Sequence, residues 1–141
     1  MSINEKQDAI IEEFSVFEDW MEKYEHLIGY GKGLPVIREE YRIPEKLIKG
    51  CQSSVWLHAE QRDGKVYFTA DSDAIITKGL VALMIEVLNQ QPAEDIAQAD
   101  IYFIDRIGLK SHLSPTRANG LSAMLRQMKL YALAFSKINQ S

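Results

Sequence analysis

Cys51 lies in the stretch Gly50-Cys51-Gln52-Ser53-Ser54-Val55-Trp56 and is the single cysteine of a chain that also holds three scattered histidines, His26, His58 and His112. A free cysteine is most often a buried, inert residue. That reading stands here beside a reactive one, which three features favour. Lys49, Gly50, Gln52, Ser53 and Ser54 are not core residues. Gly50 permits a sharp, close-approach backbone. The stretch also precedes a predicted strand, in the kind of loop that carries function.

What one thiol can do is narrowed by what accompanies it. Zinc sites use three or four Cys, His or carboxylate ligands at set spacings, and no such set is visible. Disulfide reduction normally uses a Cys-X-X-Cys pair, which one cysteine cannot supply. A Cys/His hydrolase needs a histidine base within reach of the thiol. His112, in a predicted loop, is the candidate, although nothing else in this short chain resembles a protease. The remaining chemistry is a thiol that accepts a group through one covalent bond and passes it on.

Other polar positions read more plainly. His58 falls on the outward side of a predicted hairpin opposite Thr69, which makes it a surface residue. His26 lies on the polar side of the first helical segment and has no assigned role. Around Leu113-Ser114-Pro115-Thr116-Arg117-Ala118-Asn119-Gly120-Leu121, the pair Asn119-Gly120 is unusual for the first turns of a long helix, where glycine costs about 1 kcal/mol relative to alanine. Either the helix start frays, or the backbone packs closely there and Arg117 is aimed at a partner or at the cysteine loop.

The elements that must position these residues follow from periodicity. Ser2 and Glu5 form a capping-box pattern. Ile10, Phe14, Phe17, Met21, Tyr24 and Ile28 make an apolar stripe, so Ser2 to about Tyr30 is predicted helical. A break near residues 14–18 would make it two helices. Gly29, Gly31 and Gly33 end it, and residues 31–46 read as loop. Val55, Leu57 and Ala59 alternate with Trp56, His58 and Glu60; Val66, Phe68 and Ala70 alternate with Tyr67 and Thr69. Asp63-Gly64 between them is a two-residue hairpin signal. Pairing Arg62 with Lys65 sets 57 opposite 70 and 59 opposite 68, which gathers the small and aliphatic residues on one face. The same register carries residues 51–54 opposite 73–76, near the start of the next helix. A free thiol, with pKa about 8.5, is only a few per cent ionised near neutral pH; a helix N-terminus favours the thiolate, while Asp71 and Asp73 would oppose it.

Asp71, Ser72 or Asp73 can cap that next helix. Ile75, Ile76, Leu80, Leu83, Met84, Val87 and Leu88 make it apolar over most of its surface, hence the central buried helix. Pro92 opens a short helix to about Ala99. Residues 101–104 fit either strand or helical turn. Ser114-Pro115 starts a last helix that runs to about Ile138, with Leu121, Met124, Leu125, Met128, Tyr131, Ala132 and Phe135 on one face. The order is that of an α+β fold: a small antiparallel β-sheet with helices packed on one face.

Bulk properties bound the function classes. With 141 residues, of which 46% are hydrophobic and 26% charged, one globular domain over 1–141 is expected. A net charge of −4 and the lack of a contiguous Lys/Arg cluster argue against a nucleic-acid binder. No run approaches the roughly 18 apolar residues of a membrane span, and no secretory segment follows Met1. With one cysteine and no internal disulfide, the expected compartment is the reducing cytoplasm. A monomer and a homodimer are equally compatible with the sequence.

Three motifs in order carry a family resemblance. Gly50-Cys51-Gln52-Ser53-x-Val55-Trp56, Asp71-Ser72-Asp73-Ala74-x-Ile76-x-Lys78-Gly79-Leu80, and Leu113-Ser114-Pro115-x-Arg117-x-Asn119-Gly120-Leu121 resemble the SufE-type sulfur-acceptor proteins over nearly the whole chain, Leu34-Pro35 included. The resemblance implies a partner, a pyridoxal-phosphate cysteine desulfurase that holds sulfur as a persulfide on its own cysteine. It implies that Cys51 accepts that sulfur, stimulates the desulfurase and passes the sulfur to an iron–sulfur cluster scaffold. The protein would then be a carrier and activator with no cofactor of its own, not an enzyme with its own substrate. The family fold is similar to that of IscU-type scaffolds. It implies a short strand just before Cys51, a helical turn over 101–107, and Asp73, His112 and Arg117 around the cysteine loop. An apolar pocket for the persulfide, lined by Val55, Trp56 or Leu80, is a further expectation. Two alternatives stand beside this reading: a non-catalytic desulfurase-binding module with a structural Cys51, and a hydrolase using Cys51 and His112.

Overall fold

The computed structural model describes residues 1–50 and 53–139. The N-terminal segment is two helices, α1 (Ile3–Ser15) and α2 (Trp20–Lys32). The capping box is formed: Ser2 Oγ accepts the Glu5 N–H at 3.1 Å and Glu5 Oε1 accepts the Ser2 N–H at 3.0 Å. The break falls where expected because Asp19 recaps the chain, its carboxylate taking the Glu22 N–H at 2.8 Å. The second half of the predicted stripe is corrected. Met21 is exposed and Ile28 only half-buried, while Leu27 is buried.

The glycine stop is also corrected. α2 runs through Gly29 and Gly31, and only Gly33 caps it. Gly31 is there for contact. A Cβ added to it would lie 2.9 Å from the Gly79 nitrogen, and one added to Gly79 would lie 2.5 Å from the Leu27 carbonyl oxygen. Two glycines thus let α2 and α3 (Ile75–Leu88) touch backbone to backbone. Two single 3-10 turns, Glu39–Tyr41 and Pro44–Lys46, follow α2 where loop was expected.

The hairpin has the predicted register. β1 (Val55–Arg62) pairs antiparallel with β2 (Lys65–Ser72), with Leu57 opposite Ala70, Ala59 opposite Phe68 and Arg62 opposite Lys65. Asp63 and Gly64 both adopt positive φ, 54° and 78°, as a tight hairpin turn requires. Val55, Leu57, Val66, Phe68 and Ala70 are buried in one core with Leu80, Val81, Leu83, Met84, Val87 and Leu88 of α3. Burying each such large aliphatic side chain is worth about 1.5–3 kcal/mol. A third strand, β3 (Gln91–Pro92), pairs with Lys65 and Val66, giving the order β1-β2-β3. The strand expected before Cys51 is instead a single bridge between Leu47 and Trp56.

α3 starts without a side-chain cap. Ala74 is its N-cap residue; Asp71 and Asp73 are engaged elsewhere, and Ser72 Oγ accepts the Ala74 N–H at 3.3 Å. α4 (Ala93–Gln98), α5 (Phe103–Ile107) and α6 (Leu109–His112) are short, and the ambiguous 101–107 segment is helical from Phe103. Gln7, fully buried on α1, fastens this region: its Oε1 accepts the Tyr102 and Phe103 N–H groups at 2.8 and 3.2 Å. α7 (Pro115–Asn139) is capped by Ser114, whose Oγ accepts the Arg117 N–H at 3.2 Å. Leu121, Met124, Met128 and Ala132 are its buried face. The fold is α+β. Among the described residues no helix is long and apolar enough to cross a membrane.

Candidate functional site

Cys51 and Gln52 lie outside the described residues. The site is therefore defined by what flanks and holds them. Gly50 has φ +92°, a left-handed conformation that glycine adopts without strain. A Cβ there would sit 3.6 Å from that of Ala123, an ordinary contact, so backbone conformation and not crowding calls for glycine. This approach also sets α7 beside the loop.

The loop is fastened at its base from two sides. Upstream, the Ile48 N–H donates to the Val55 carbonyl at 2.9 Å, next to the Leu47–Trp56 bridge. Downstream, Asp73 Oδ1 accepts the Ser54 N–H at 3.1 Å, and the Asp73 N–H donates to the Ser54 carbonyl at 3.3 Å. The extended hairpin register is thereby seen at 54 opposite 73. Asp73 is a backbone clamp, not a helix cap.

The electrostatics differ from expectation. Asp71, only 8% exposed at its side chain, is engaged by Arg42 and lies 3.3 Å from Lys78 Nζ; it also accepts the Ser72 N–H at 2.8 Å. Its charge is offset by two cations. Arg42 further lies over the Trp56 ring, 4.9 Å from its centroid. These contacts were missed because Arg42, Trp56, Asp71 and Lys78 come from four separate segments. The one available signal was an acidic residue continuing a strand whose neighbouring inward positions are apolar.

The outer sheet face is covered as well. Tyr41 stacks on His58 at 3.5 Å between ring centroids, and both bond to Glu60 Oε1 at 3.1 Å. His58 is thus enclosed, its side chain 14% exposed, and the surface reading is corrected. The two bonds hold the Glu60 carboxyl below its usual range. His26 is likewise engaged: it packs edge-on against Phe14 and bonds to Glu13 Oε2 at 2.9 Å.

The remaining predicted site residues do not converge on one another. The His112 ring stacks on Trp20 with centroids 3.6 Å apart, and its carbonyl accepts the Tyr24 hydroxyl at 2.8 Å. Arg117 is exposed in the first turn of α7, six residues before Ala123, or about 9 Å along the helix. Among the described residues no hydrogen bond or ion pair joins Asp73, His112 and Arg117. The expected common pocket of Val55, Trp56 and Leu80 is corrected too. Val55 and Leu80 are core residues, whereas Trp56 points to the opposite sheet face, beneath Arg42. Among the described residues, no group of three or more His, Cys, Asp or Glu is arranged to hold a metal ion.

Residues 8–132 match the SufE family, described as an Fe-S metabolism associated domain. The chain belongs to the SufE family. It is 40% identical over 126 residues to an uncharacterized SufE-like protein of Synechocystis sp., covering 89% of this chain and 79% of that protein. It is 39% identical over 127 residues to an uncharacterized SufE-like protein of Rhizobium etli, covering 86% of each. A hypothetical protein of Thermus thermophilus, solved in solution, shares the fold with a TM-score of 0.78 at 21% identity, covering 94% of this chain and 96% of that one. SufE membership connects the chain to Fe–S metabolism.

Proposed function

We propose that this SufE-family protein is a sulfur acceptor that takes persulfide sulfur from a cysteine desulfurase onto Cys51, stimulates that enzyme, and hands the sulfur to iron–sulfur cluster assembly in the cytoplasm. The observation that carries the reading is the single cysteine in a loop fastened at both ends by Ile48–Val55 and Ser54–Asp73, in a chain of an Fe–S metabolism family.

The step is a thiol exchange. The Cys51 thiolate attacks the terminal sulfur of the desulfurase persulfide. A new S–S bond forms at Cys51, the old S–S bond breaks, and its electron pair leaves on the desulfurase cysteine as thiolate. The exchange is redox-neutral and needs no cofactor on this chain; the pyridoxal phosphate belongs to the desulfurase. A second cysteine nearby would trap the persulfide as a disulfide, and the chain has none. Asp73 and the Arg42–Asp71–Lys78 cluster would position the loop and balance charge around it, and Arg117 would face the partner. His112, stacked on Trp20, is better suited to packing than to acting as a base.

The test is intact mass after incubation with a purified cysteine desulfurase and cysteine. One added sulfur on the wild type and none on Cys51→Ser is expected. No added sulfur on the wild type with any desulfurase would sink the reading. A Cys51→Ser variant that stimulated the desulfurase as well as wild type would favour the binding-module alternative.

A further inference from the structure

A cleft of about 360 Å³ opens beside the cysteine loop, between residues 45–49 and the middle of α7. Lys46, Lys49, Arg126 and Tyr131 line it, and Glu45 is its one acidic residue. Ala123, which also lines it, is the residue that Gly50 approaches. The cleft therefore abuts the residue that precedes Cys51 in the chain.

Its charge is opposite to that of the molecule. Three cations face one carboxylate here, in a protein of net charge −4. Arg38, Arg42 and Lys78, by contrast, all have carboxylate partners. Among the described residues Lys46, Lys49 and Arg126 have none. A concave site lined by one sign of charge focuses its field and draws in the opposite charge. The volume falls within the range of real ligand sites, and Leu47, 38% exposed, offers an apolar contact beside the charges.

We infer that this cleft docks an acidic segment of the protein partner that exchanges sulfur with Cys51; the inference rests on the sulfur-acceptor reading. Arg126 can take one carboxylate through two parallel N–H bonds. Lys46 and Lys49 act as flexible point charges for others, and Tyr131 and Leu47 line the same cleft. Such pairing sets on-rate and register more than bulk affinity. Here it would bring the incoming persulfide to the shoulder of the cysteine loop in a fixed orientation.

The test combines Lys46→Glu, Lys49→Glu and Arg126→Glu in the full chain, against a control combining Lys32→Glu and Lys65→Glu on exposed sites away from the cleft. With a desulfurase that loads wild-type Cys51, the concentration giving half-maximal loading should rise at least about tenfold in the cleft variant. The loading rate at saturation should stay close to wild type, and the shift should shrink at about 0.5 M salt. Lys46→Arg and Lys49→Arg together, which keep both charges and leave Arg126 in place, should behave as the wild type. An unchanged half-maximal concentration, or an equal shift in the control, overturns the inference.

A second arm needs no desulfurase. A fluorescein-labelled polyglutamate peptide should bind the wild type, and the cleft variant at least about tenfold more weakly, by fluorescence anisotropy. Inorganic phosphate that displaced the peptide at equal charge concentration would assign the cleft to a small anion and overturn the docking role. Peptide binding without sulfur loading would remove the acceptor reading and leave the acidic-segment site standing. Loading that ignores the cleft charges would remove the cleft alone.

Discussion

Asp73 holds Ser54 by two bonds, accepting its N–H at 3.1 Å and donating to its carbonyl at 3.3 Å. One acidic residue thereby extends the hairpin ladder one step past β1 and closes the base of the cysteine loop. Asp73→Ala removes the side-chain half of the clamp and should cost about 1 kcal/mol in urea unfolding. It should also speed hydrogen exchange at the Ser54 amide. Asp73→Asn keeps an acceptor oxygen and should retain most of the protection. Equal exchange in all three proteins would count against a clamp.

The Arg42–Asp71–Lys78 cluster predicts an asymmetric mutational response. Asp71 is nearly buried, while Arg42 and Lys78 are about a third exposed at their side chains. Losing the shared carboxylate takes the partner from Lys78 and from the Ser72 N–H and leaves Arg42 with Glu39 alone, at 3.7 Å. Asp71→Ala should therefore destabilise by about 2–4 kcal/mol. Lys78→Met removes one exposed partner and should cost under about 1 kcal/mol. Denaturant midpoints at constant m-value would check both.

The α2–α3 crossing gives a steric prediction. Gly79→Ala would drive a methyl to 2.5 Å from the Leu27 carbonyl oxygen, which is backbone and cannot swing away. The helices must separate, at a cost of about 1–3 kcal/mol or more, read as a lowered Tm. Gly29→Ala, with open space around the added methyl, should be neutral or stabilising in the facing helix.

The Glu13 site predicts a pH dependence. Burial alone would raise the Glu13 carboxyl, but hydrogen bonds from Tyr30 and His26 outweigh it and hold the group below its usual value. A carboxyl lowered in the folded state contributes stability above its unfolded pKa, and that contribution is lost as pH falls through the folded value. Tyr30→Phe removes one of the bonds. The stability gap between wild type and variant should thus be widest above about pH 4.5 and narrow in more acid solution, measured as Tm against pH. On the alkaline side, burial and the Glu13 charge push the Tyr30 phenol well above its ordinary value. It should stay neutral in a spectrophotometric titration after an ordinary tyrosine has ionised.

Much of the fold was legible because its signals are local. Asp63-Gly64 and alternation determine the register of β1 with β2. Ser2 and Glu5, and Ser114 before Pro115, mark helix starts through bonds three residues long. The Leu121-to-Phe135 stripe marks the buried side of α7 through its period alone. Errors arose where a residue served a distant partner. Gly31 reads as a stop by its local cost, yet its missing side chain admits Gly79. Asp71 and Asp73 read as helix caps, yet Arg42 and Lys78 engage one and Ser54 the other. His58 reads as surface until Tyr41 is laid over it.

The sequence by itself determined that the chain holds one cysteine, Cys51, in a polar stretch before a hairpin, and which faces of the hairpin, α3 and α7 are buried. Turn chemistry and periodicity act over a few residues, so they can be read in one dimension. Only the tertiary structure decided which charges surround that loop. Lys46, Lys49 and Arg126 form no run in the chain, and they meet only where α7 packs beside residues 45–49. Charge interactions depend on distance through space, and that distance exists only once the core has closed.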